Sequence, residues 1–249
     1  MTRDHVTRQS FLVCTTPRSG SGVLCDTLWR IGSFGRPDEY FCDDGYHPEY
    51  ATGDDRRDFP GYINKVRELA TGGNGVLGVK IMWDHFVHLI GLYRSEHSAQ
   101  ASSDLSIACT IFSNPGFIWL SRQNKLHQAV SLYRRRATGV FYRRGNAAED
   151  SACPEPTIDE LEVLIKKLED QDSQWANFFR LNDSEPLKIH YEELRDDISG
   201  VVMRIADFLD IDLPHDSQPP KSDYKSMSDT VTESWIAAYE RARGPYTCE

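Results

Sequence analysis

The sequence alternates between short apolar runs and longer stretches with the spacing of an amphipathic helix. The apolar runs have the length and the β-branched composition of buried strands. They occupy residues 11–14, 75–82, 117–120 and 187–190. Helical spacing covers residues 23–31, 63–70, 83–93, 124–139, 157–178, 201–209 and 232–243, whereas residues 106–112 fit either state. This alternation predicts an α/β fold, a P-loop-like three-layer αβα arrangement around a central parallel sheet.

Two further segments lack a clear period and are predicted to be loops. A length of 249 residues suits one α/β domain, so we expect a single domain over residues 1–249. Residues 33–61 are rich in Gly, Pro and Asp but contain six aromatic side chains, which predicts an ordered loop on the substrate side. Residues 213–231 contain three prolines and predict a surface loop before a C-terminal helix.

The overall charge argues against a polyanionic partner. The chain has 28 basic and 38 acidic side chains, and its net charge of −10 excludes nucleic acid and anionic membranes as general partners. The six cysteines form no CxxC pair or zinc-finger cluster, so we expect reduced thiols and a cytoplasmic location. The first ten residues do not resemble a signal peptide, and no apolar run approaches the ~20 residues of a membrane span.

The positive charge is concentrated in one segment. Residues 116–145 carry +7 and no acidic side chain, whereas the other 219 residues carry −17. The basic side chains are Arg122, Lys125, Arg134, Arg135, Arg136, Arg143 and Arg144. A concentrated positive field in an acidic protein indicates a small, multiply charged anion. Several of Arg134 to Arg136, Arg143 and Arg144 are expected to form only a solvated helix face.

The residues from Thr15 to Gly22, TTPRSGSG, separate a predicted strand from a predicted helix. Glycines, a helix N-terminus and Arg18 can together bind a phosphate-like group, although a plain strand–helix turn has the same local pattern. Neither the Walker A spacing nor GxGxxG is present. Arg122 ends a second strand, and Ser131 follows nine residues later in a helix, so both can contact one phosphate. Two such sites predict a nucleotide with phosphates at both ends.

Five motifs in order resemble the Stf0 family of bacterial sulfotransferases. They are PRSGS (17–21), GRPDEYF (35–41), GVKIMW (78–83), FIWLSRQNKLHQAVS (117–131) and YEEL (191–194). The resemblance implies transfer of a sulfuryl group from PAPS, 3′-phosphoadenosine 5′-phosphosulfate, to a hydroxyl of a carbohydrate or glycosylated small molecule, with PAP as product. It also implies a homodimer and no metal.

The resemblance assigns roles to residues at both predicted phosphate sites. The 5′-phosphosulfate would be bound by Arg18, Ser19, Gly20, Ser21 and Gly22. The 3′-phosphate would be bound by Arg122 and Ser131. For the in-line displacement, Arg18 would stabilise charge on the leaving oxygen.

The proton of the acceptor hydroxyl requires a base, and the resemblance implies Glu39 for this role, with Asp38 as the second choice. The acceptor would be bound by the neighbouring residues Arg36, Pro37, Asp38, Tyr40 and Phe41. Relatives that modify trehalose carry a polar residue where Pro17 stands, and proline has no N–H to donate. The sequence therefore favours another sugar over trehalose.

Other readings of the same features stay open. The protein could bind PAPS or PAP without transferring the sulfuryl group, or it could sulfate a hydroxyl of a natural product that is not a sugar. A P-loop kinase is disfavoured because the Walker A motif and a pair of magnesium-binding aspartates are absent.

Several single residues carry weaker expectations. Lys80 interrupts an apolar strand and belongs either to the donor site or to the strand end. His85 and His88 could form a metal pair with Asp84, but a structural role is favoured because no further ligand is evident. His127 could contact either substrate, and Tyr191 could stack on adenine. Trp175 and Phe178 are expected in the core or at a dimer face.

Overall fold

The computed structural model describes residues 9–42, 45–52, 58–98, 100, 102–139, 153–213 and 230–247. Its strands are β1 (Gln9–Thr15), β2 (Val76–Met82), β3 (Gly116–Ser121) and β4 (Leu187–His190). Its helices are α1 (Ser21–Ile31), α2 (Phe59–Ala70), α3 (Trp83–His97), α4 (Asp104–Phe112), α5 (Lys125–Thr138), α6 (Ile158–Leu181), α7 (Tyr191–Asp196), α8 (Ile198–Phe208) and α9 (Thr230–Arg243).

The four strands form one parallel sheet in the order β2-β1-β3-β4. Thr15, the last residue of β1, lies opposite Met82 of β2 and Leu120 of β3. The carboxyl ends of these three strands therefore meet at one edge of the sheet, where ligands of open α/β sheets bind.

Both faces of the sheet are covered by helices. In β1, Phe11 and Val13 pack with α1 and α8 on one face, whereas Leu12 and Cys14 pack with α2, α3, α4 and α6 on the other. A third cluster joins α5, α6 and α9. The predicted α/β fold with three layers and a central parallel sheet is therefore confirmed.

The helix ends agree with the predicted capping residues. Asn124 accepts a bond from the backbone N–H of His127 at the start of α5, and Thr157 with Glu160 forms a capping box before α6. The ambiguous residues 106–112 belong to helix α4. Helix α2 begins at Phe59, so the loop predicted over residues 33–61 ends earlier than expected.

Helix α7 was not predicted, because six residues are too few to show a helical period. The backbone N–H of His190 donates to the side chain of Glu193 at its start.

Of the predicted surface loop, residues 214–229 lie outside the described residues, as do Arg143 and Arg144.

Two further observations concern the cysteines and the helices. Within the described ranges, none of Cys14, Cys25, Cys42, Cys109 and Cys153 forms a disulfide. No helix in that part of the chain is long and apolar enough to cross a membrane.

Candidate functional site

The loop between β1 and α1 (residues 16–20, called the β1–α1 loop) ends at an uncapped helix. Arg18 and Gly20 both have left-handed backbone angles, with φ of 66° and 86°. This conformation costs a non-glycine residue ~1–2 kcal/mol, so the backbone of Arg18 is strained. No side chain caps α1, and its first turn has no acidic residue. Its N-terminal N–H groups are therefore available to an anion.

Internal hydrogen bonds support this loop from the sheet. The hydroxyl of Thr15 lies 2.5 Å from that of Ser19 and donates to the carbonyl of Leu120 at 2.7 Å. Because Ser19 is fully buried, its hydroxyl supports the loop. The amide of Gln128 donates to the hydroxyl of Thr16 at 2.9 Å and to the carbonyl of Pro17 at 2.6 Å. The course of the loop is thus fixed by β3 and α5.

A second layer of buried polar side chains supports the first. Lys125 forms an ion pair of 2.5 Å with Asp172 of α6, and its ammonium lies 3.3 Å from the amide oxygen of Gln128. Burial raises the pKa of Asp172 despite this neighbouring ammonium. The indole N–H of Trp175 donates to the carbonyl of Thr15 at 3.0 Å. Helix α6 thereby supports the end of β1, where the β1–α1 loop begins.

The two arginines predicted at separate phosphate sites lie side by side. Nε of Arg18 donates to the hydroxyl of Ser131 at 2.9 Å, and Nη1 of Arg122 donates to the carbonyl of Arg18 at 3.3 Å. The Arg122 guanidinium lies 4.3 Å from the ring centre of Tyr191, and burial lowers its pKa. Within the described ranges, buried Nε of Arg122 has no hydrogen-bond partner. A bound anion would satisfy this donor.

Tyr191 also contacts the β1–α1 loop directly. A Cβ placed on Gly20 would lie 2.6 Å from Cδ2 of Tyr191. Glycine is required at this position by both the backbone angle and the neighbouring ring. Stacking of Tyr191 on adenine stays a prediction.

The segment with Glu39 (residues 33–42, called the Glu39 segment) runs beside β2. The backbone N–H of Lys80 donates to the carbonyl of Asp38 at 2.9 Å. Oε2 of Glu39 lies 2.9 Å from Nζ of Lys80, and its Oε1 lies 3.1 Å from Nδ1 of His85. Burial raises the pKa of Glu39, but Lys80 and His85 outweigh this and lower it to about 2. Glu39 is therefore ionised, and Lys80 is its partner.

Asp38 is engaged on both carboxylate oxygens. One accepts the backbone N–H of Glu39 at 2.8 Å, and the other accepts the hydroxyl of Tyr50 at 2.6 Å. Arg36 lies over the rings of Trp29 and Tyr50, at 5.3 and 5.7 Å from their centres. Asp38 therefore orders the segment, and both of its carboxylate oxygens are occupied.

Three of the residues predicted to contact an acceptor are buried. Tyr40 and Phe41 have no exposed surface, and Pro37 is buried as well. The hydroxyl of Tyr40 donates to the carbonyl of Arg36, and the ring of Phe41 packs against Tyr62 and Phe112. In this arrangement these side chains support the Glu39 segment and cannot contact an acceptor; of the predicted set, only Arg36 and Asp38 are partly exposed.

Further residues depart from their expected surroundings. Arg134 was expected on a solvated face, but it is buried and donates to the hydroxyl of Thr232 at 2.7 Å, because α9 covers this part of α5. His85 contacts Glu39 and not Asp84, which pairs with Lys167 at 3.1 Å.

Two further histidines and two aromatic residues were singled out in the sequence. His88 is exposed, and burial lowers the pKa of His127. Trp175 and Phe178 lie in the core, as one of their two predicted alternatives states.

One group of side chains could hold a metal ion. In the part of the chain that the structure describes, only Glu39, Cys42 and His85 bring three potential ligand atoms within 4.8 Å of one another. The sequence did not reveal this group, because Cys42 and His85 belong to different elements.

Comparisons with known proteins give a consistent result. A family model described as Stf0 sulphotransferase matches residues 10–242. A trehalose 2-sulfotransferase of Mycolicibacterium smegmatis is 25% identical over 265 residues, which cover 96% of each chain. One of Mycobacterium tuberculosis is 26% identical over 272 residues, which cover 94% of this chain and 95% of the relative.

A solved structure also has a similar fold. It is a sulfotransferase domain from the curacin biosynthetic pathway, with a TM-score of 0.50 and 16% sequence identity. The match covers 97% of this chain and 94% of that domain. At this identity, the likeness concerns the fold alone.

Proposed function

The chain belongs to the Stf0 sulfotransferase family, and from this premise we propose that it transfers the sulfuryl group of PAPS to a hydroxyl of a carbohydrate. The observation that supports the proposal most directly is the meeting of Arg18, Arg122 and Ser131 at the uncapped start of α1. Two guanidinium groups from adjacent strand ends form a site for a ligand with two anionic groups.

Each part of the donor has a group to bind it. The 5′-phosphosulfate is bound by the Arg18 guanidinium and by the N–H groups at the start of α1, from Gly20 to Gly22. The 3′-phosphate is bound by Arg122 and the hydroxyl of Ser131, and it satisfies the Nε donor of Arg122. The buried Ser19 shapes the loop, and Ser21 contributes its backbone N–H.

The transfer is an in-line displacement. The acceptor oxygen forms a bond to sulfur while the bond from sulfur to the 5′-phosphate oxygen breaks, and the electron pair of that bond stays on the phosphate. Arg18 and the helix N-terminus stabilise the negative charge that develops there. The proton of the acceptor passes to Glu39. Although the low pKa of Glu39 makes it a weak base, the hydroxyl becomes strongly acidic as its bond to sulfur forms.

The proposal also covers the carbohydrate acceptor, a homodimeric assembly and a cytoplasmic location. The names of the two relatives make trehalose the first acceptor to test, whereas Pro17 favours another sugar. The homodimer follows from the sequence resemblance. A cytoplasmic location is supported by the absence of a disulfide among the described cysteines.

The test is a transfer assay with the purified full chain. PAPS labelled in its sulfuryl group is incubated with trehalose and a panel of other carbohydrates, and products are detected by label and by mass. Adenosine 5′-phosphosulfate serves as the matched donor, because it lacks only the 3′-phosphate. We expect transfer from PAPS and little from the matched donor. Binding of PAP without transfer to any carbohydrate in the panel would instead favour the donor-binding alternative.

A further inference from the structure

Three potential metal ligands of different chemistry meet beside Lys80. They are a carboxylate oxygen of Glu39, the thiol of Cys42 and Nδ1 of His85, all within 4.8 Å of one another. Glu39 and Cys42 come from the Glu39 segment, whereas His85 lies in the first turn of α3. All three side chains are partly exposed, and the ligand atom Nδ1 of His85 is itself buried.

The spacing is close to the requirement of a tetrahedral ion. Zinc bonds of about 2.0–2.3 Å to oxygen, nitrogen and sulfur place neighbouring ligand atoms roughly 3.3–3.6 Å apart. Oε1 of Glu39 already lies 3.1 Å from Nδ1 of His85. The thiol of Cys42 has to approach by at most about 1.5 Å, which a side-chain rotation in an irregular segment can provide.

The donor set selects a thiophilic ion. A thiolate, an imidazole and a carboxylate suit Zn²⁺, whereas Mg²⁺ and Ca²⁺ prefer oxygen ligands. The thiolate and the carboxylate together neutralise the two charges of the ion. Three protein ligands also leave a fourth position for water, as in open zinc sites.

Lys80 does not have to leave for the ion to bind. Its ammonium contacts Oε2 of Glu39 at 2.9 Å, whereas Oε1 is the oxygen beside His85. The carboxylate can therefore bridge the two cations, with one oxygen for each. Because Lys80 fixes the carboxylate, little freedom remains to be lost when the ion binds.

We propose that Zn²⁺ binds to Glu39, Cys42 and His85 as an inhibitor. The thiol proton of Cys42 is released to water, and His85 binds the ion through Nδ1 in the neutral tautomer that carries its proton on Nε2. The bound ion occupies Oε1 of Glu39 and withdraws it from proton transfer. The inhibition rests on the proposed function of Glu39, whereas the binding does not. The ion takes no part in the reaction, so the predicted transfer remains independent of metal.

The test is a titration of the full chain with Co²⁺, followed by displacement with Zn²⁺. Cobalt bound to a thiolate gives a charge-transfer absorption in the near ultraviolet, and tetrahedral cobalt absorbs strongly in the visible. We expect both signals to saturate at one equivalent of ion. Cys42→Ser should abolish the thiolate band, and His85→Asn should weaken binding by at least ~10-fold.

Two matched variants control for the other cysteines and histidines. Cys109 is a partly exposed thiol on α4, and His88 is exposed one turn after His85. Cys109→Ser and His88→Asn should both titrate like the unchanged protein. Absence of the thiolate band at one equivalent, or an unchanged band in Cys42→Ser, would overturn the proposal.

A second measurement avoids dependence on variants that could unfold. The unchanged protein is alkylated with iodoacetamide with and without Zn²⁺, and the modified cysteines are identified by peptide mass spectrometry. Zinc should protect Cys42 and leave Cys109 equally reactive, and equal labelling of Cys42 in both samples would contradict the site. Both measurements detect metal binding in the absence of the sulfuryl donor. A negative result would therefore refute the zinc site without bearing on the proposed sulfuryl transfer.

Discussion

The β1–α1 loop follows the end of β1 and the Glu39 segment runs beside β2, and the two regions are held in different ways. The loop is fixed by hydrogen bonds from Gln128 of α5, and Trp175 of α6 donates to Thr15, the strand residue that precedes the loop. The Glu39 segment has no regular structure, and its carboxylate is positioned by the side chains of Lys80 and His85. The shape of the loop is therefore set by its hydrogen bonds, whereas the position of the Glu39 carboxylate depends on one charged cluster.

This difference separates the two tasks of the proposed reaction. Donor binding belongs to a loop whose shape is supported by the sheet and by α5 and α6. Proton removal belongs to a carboxylate that is ionised because of Lys80. Changes in one region should therefore leave the other largely intact, because sites without shared partners act nearly additively.

Among changes to the β1–α1 loop, the largest expected effect follows from loss of the Arg18 guanidinium. Arg18→Ala should lower the transfer rate by ~10²–10³, because one donor to the developing negative charge is removed. Arg30→Ala is the control, since Arg30 lies on α1, the helix that follows the loop, and pairs with Asp26. Transfer rates of both variants, measured with saturating acceptor, test the prediction; a rate for Arg18→Ala equal to that of the control would contradict it.

The next effect tests the charged cluster of the Glu39 segment. Lys80→Met leaves Glu39 without its ion-pair partner and should reduce the free energy of unfolding by ~3 kcal/mol at neutral pH. PAP affinity, set by the β1–α1 loop, should stay within ~2-fold. Urea unfolding and calorimetric PAP titration provide the measurements. A large loss of PAP affinity would show that the two regions are not independent.

The same variant has a defined pH dependence. The folded pKa of Glu39 is about 2, whereas an unfolded glutamate titrates near ~4.3. The stabilisation by the ionised carboxylate is therefore complete above about pH 4.5 and is lost as the pH falls toward 2. The difference in unfolding free energy between the unchanged protein and Lys80→Met should shrink over this interval, and a constant difference would argue against the ion pair.

A smaller effect is expected from the support of the loop. Gln128→Leu leaves the hydroxyl of Thr16 and the carbonyl of Pro17 without their buried donor, which should cost ~1–3 kcal/mol of unfolding free energy. The Michaelis constant for PAPS should rise as the loop loses its fixed shape. Gln174→Leu, on the exposed side of α6, should change neither quantity. Equal behaviour of the two variants would refute the supporting role of Gln128.

The smallest effect distinguishes two reasons for glycine at position 20, the left-handed backbone angle and the contact with the Tyr191 ring. Gly20→Ala and Gly32→Ala both place alanine at a left-handed position, but only the new Cβ at position 20 meets Tyr191. Gly20→Ala should therefore be less stable than Gly32→Ala by ~1–2 kcal/mol. The two unfolding curves give this difference directly, and identical stabilities would mean that the ring moves aside at no cost.

The fold and the loop were largely predictable, because their signals are local. Four apolar runs gave the strands, and Asn124 and Thr157 gave two helix starts. The strand, glycine loop and helix around Arg18 form one continuous stretch of sequence, so their geometry follows from short-range rules.

The Glu39 segment was only partly predictable, because its contacts are long-range. Nothing local pairs Glu39 with Lys80, or Asp172 with Lys125, since these contacts depend on how elements pack. The aromatic residues Tyr40 and Phe41 suggested ligand contact but fill the core. A lysine inside an apolar strand was the one signal that a buried acidic partner exists.

The most direct test of the division between the two regions is Glu39→Gln, measured by PAP calorimetry and by transfer from PAPS on the same protein sample. We predict a rate lower by ~10²–10⁴ and a PAP dissociation constant within ~2-fold of the unchanged protein. Glu49→Gln, an exposed neighbour in the chain, should change neither value. An undiminished rate, or a loss of PAP affinity as large as the loss of rate, would contradict the account.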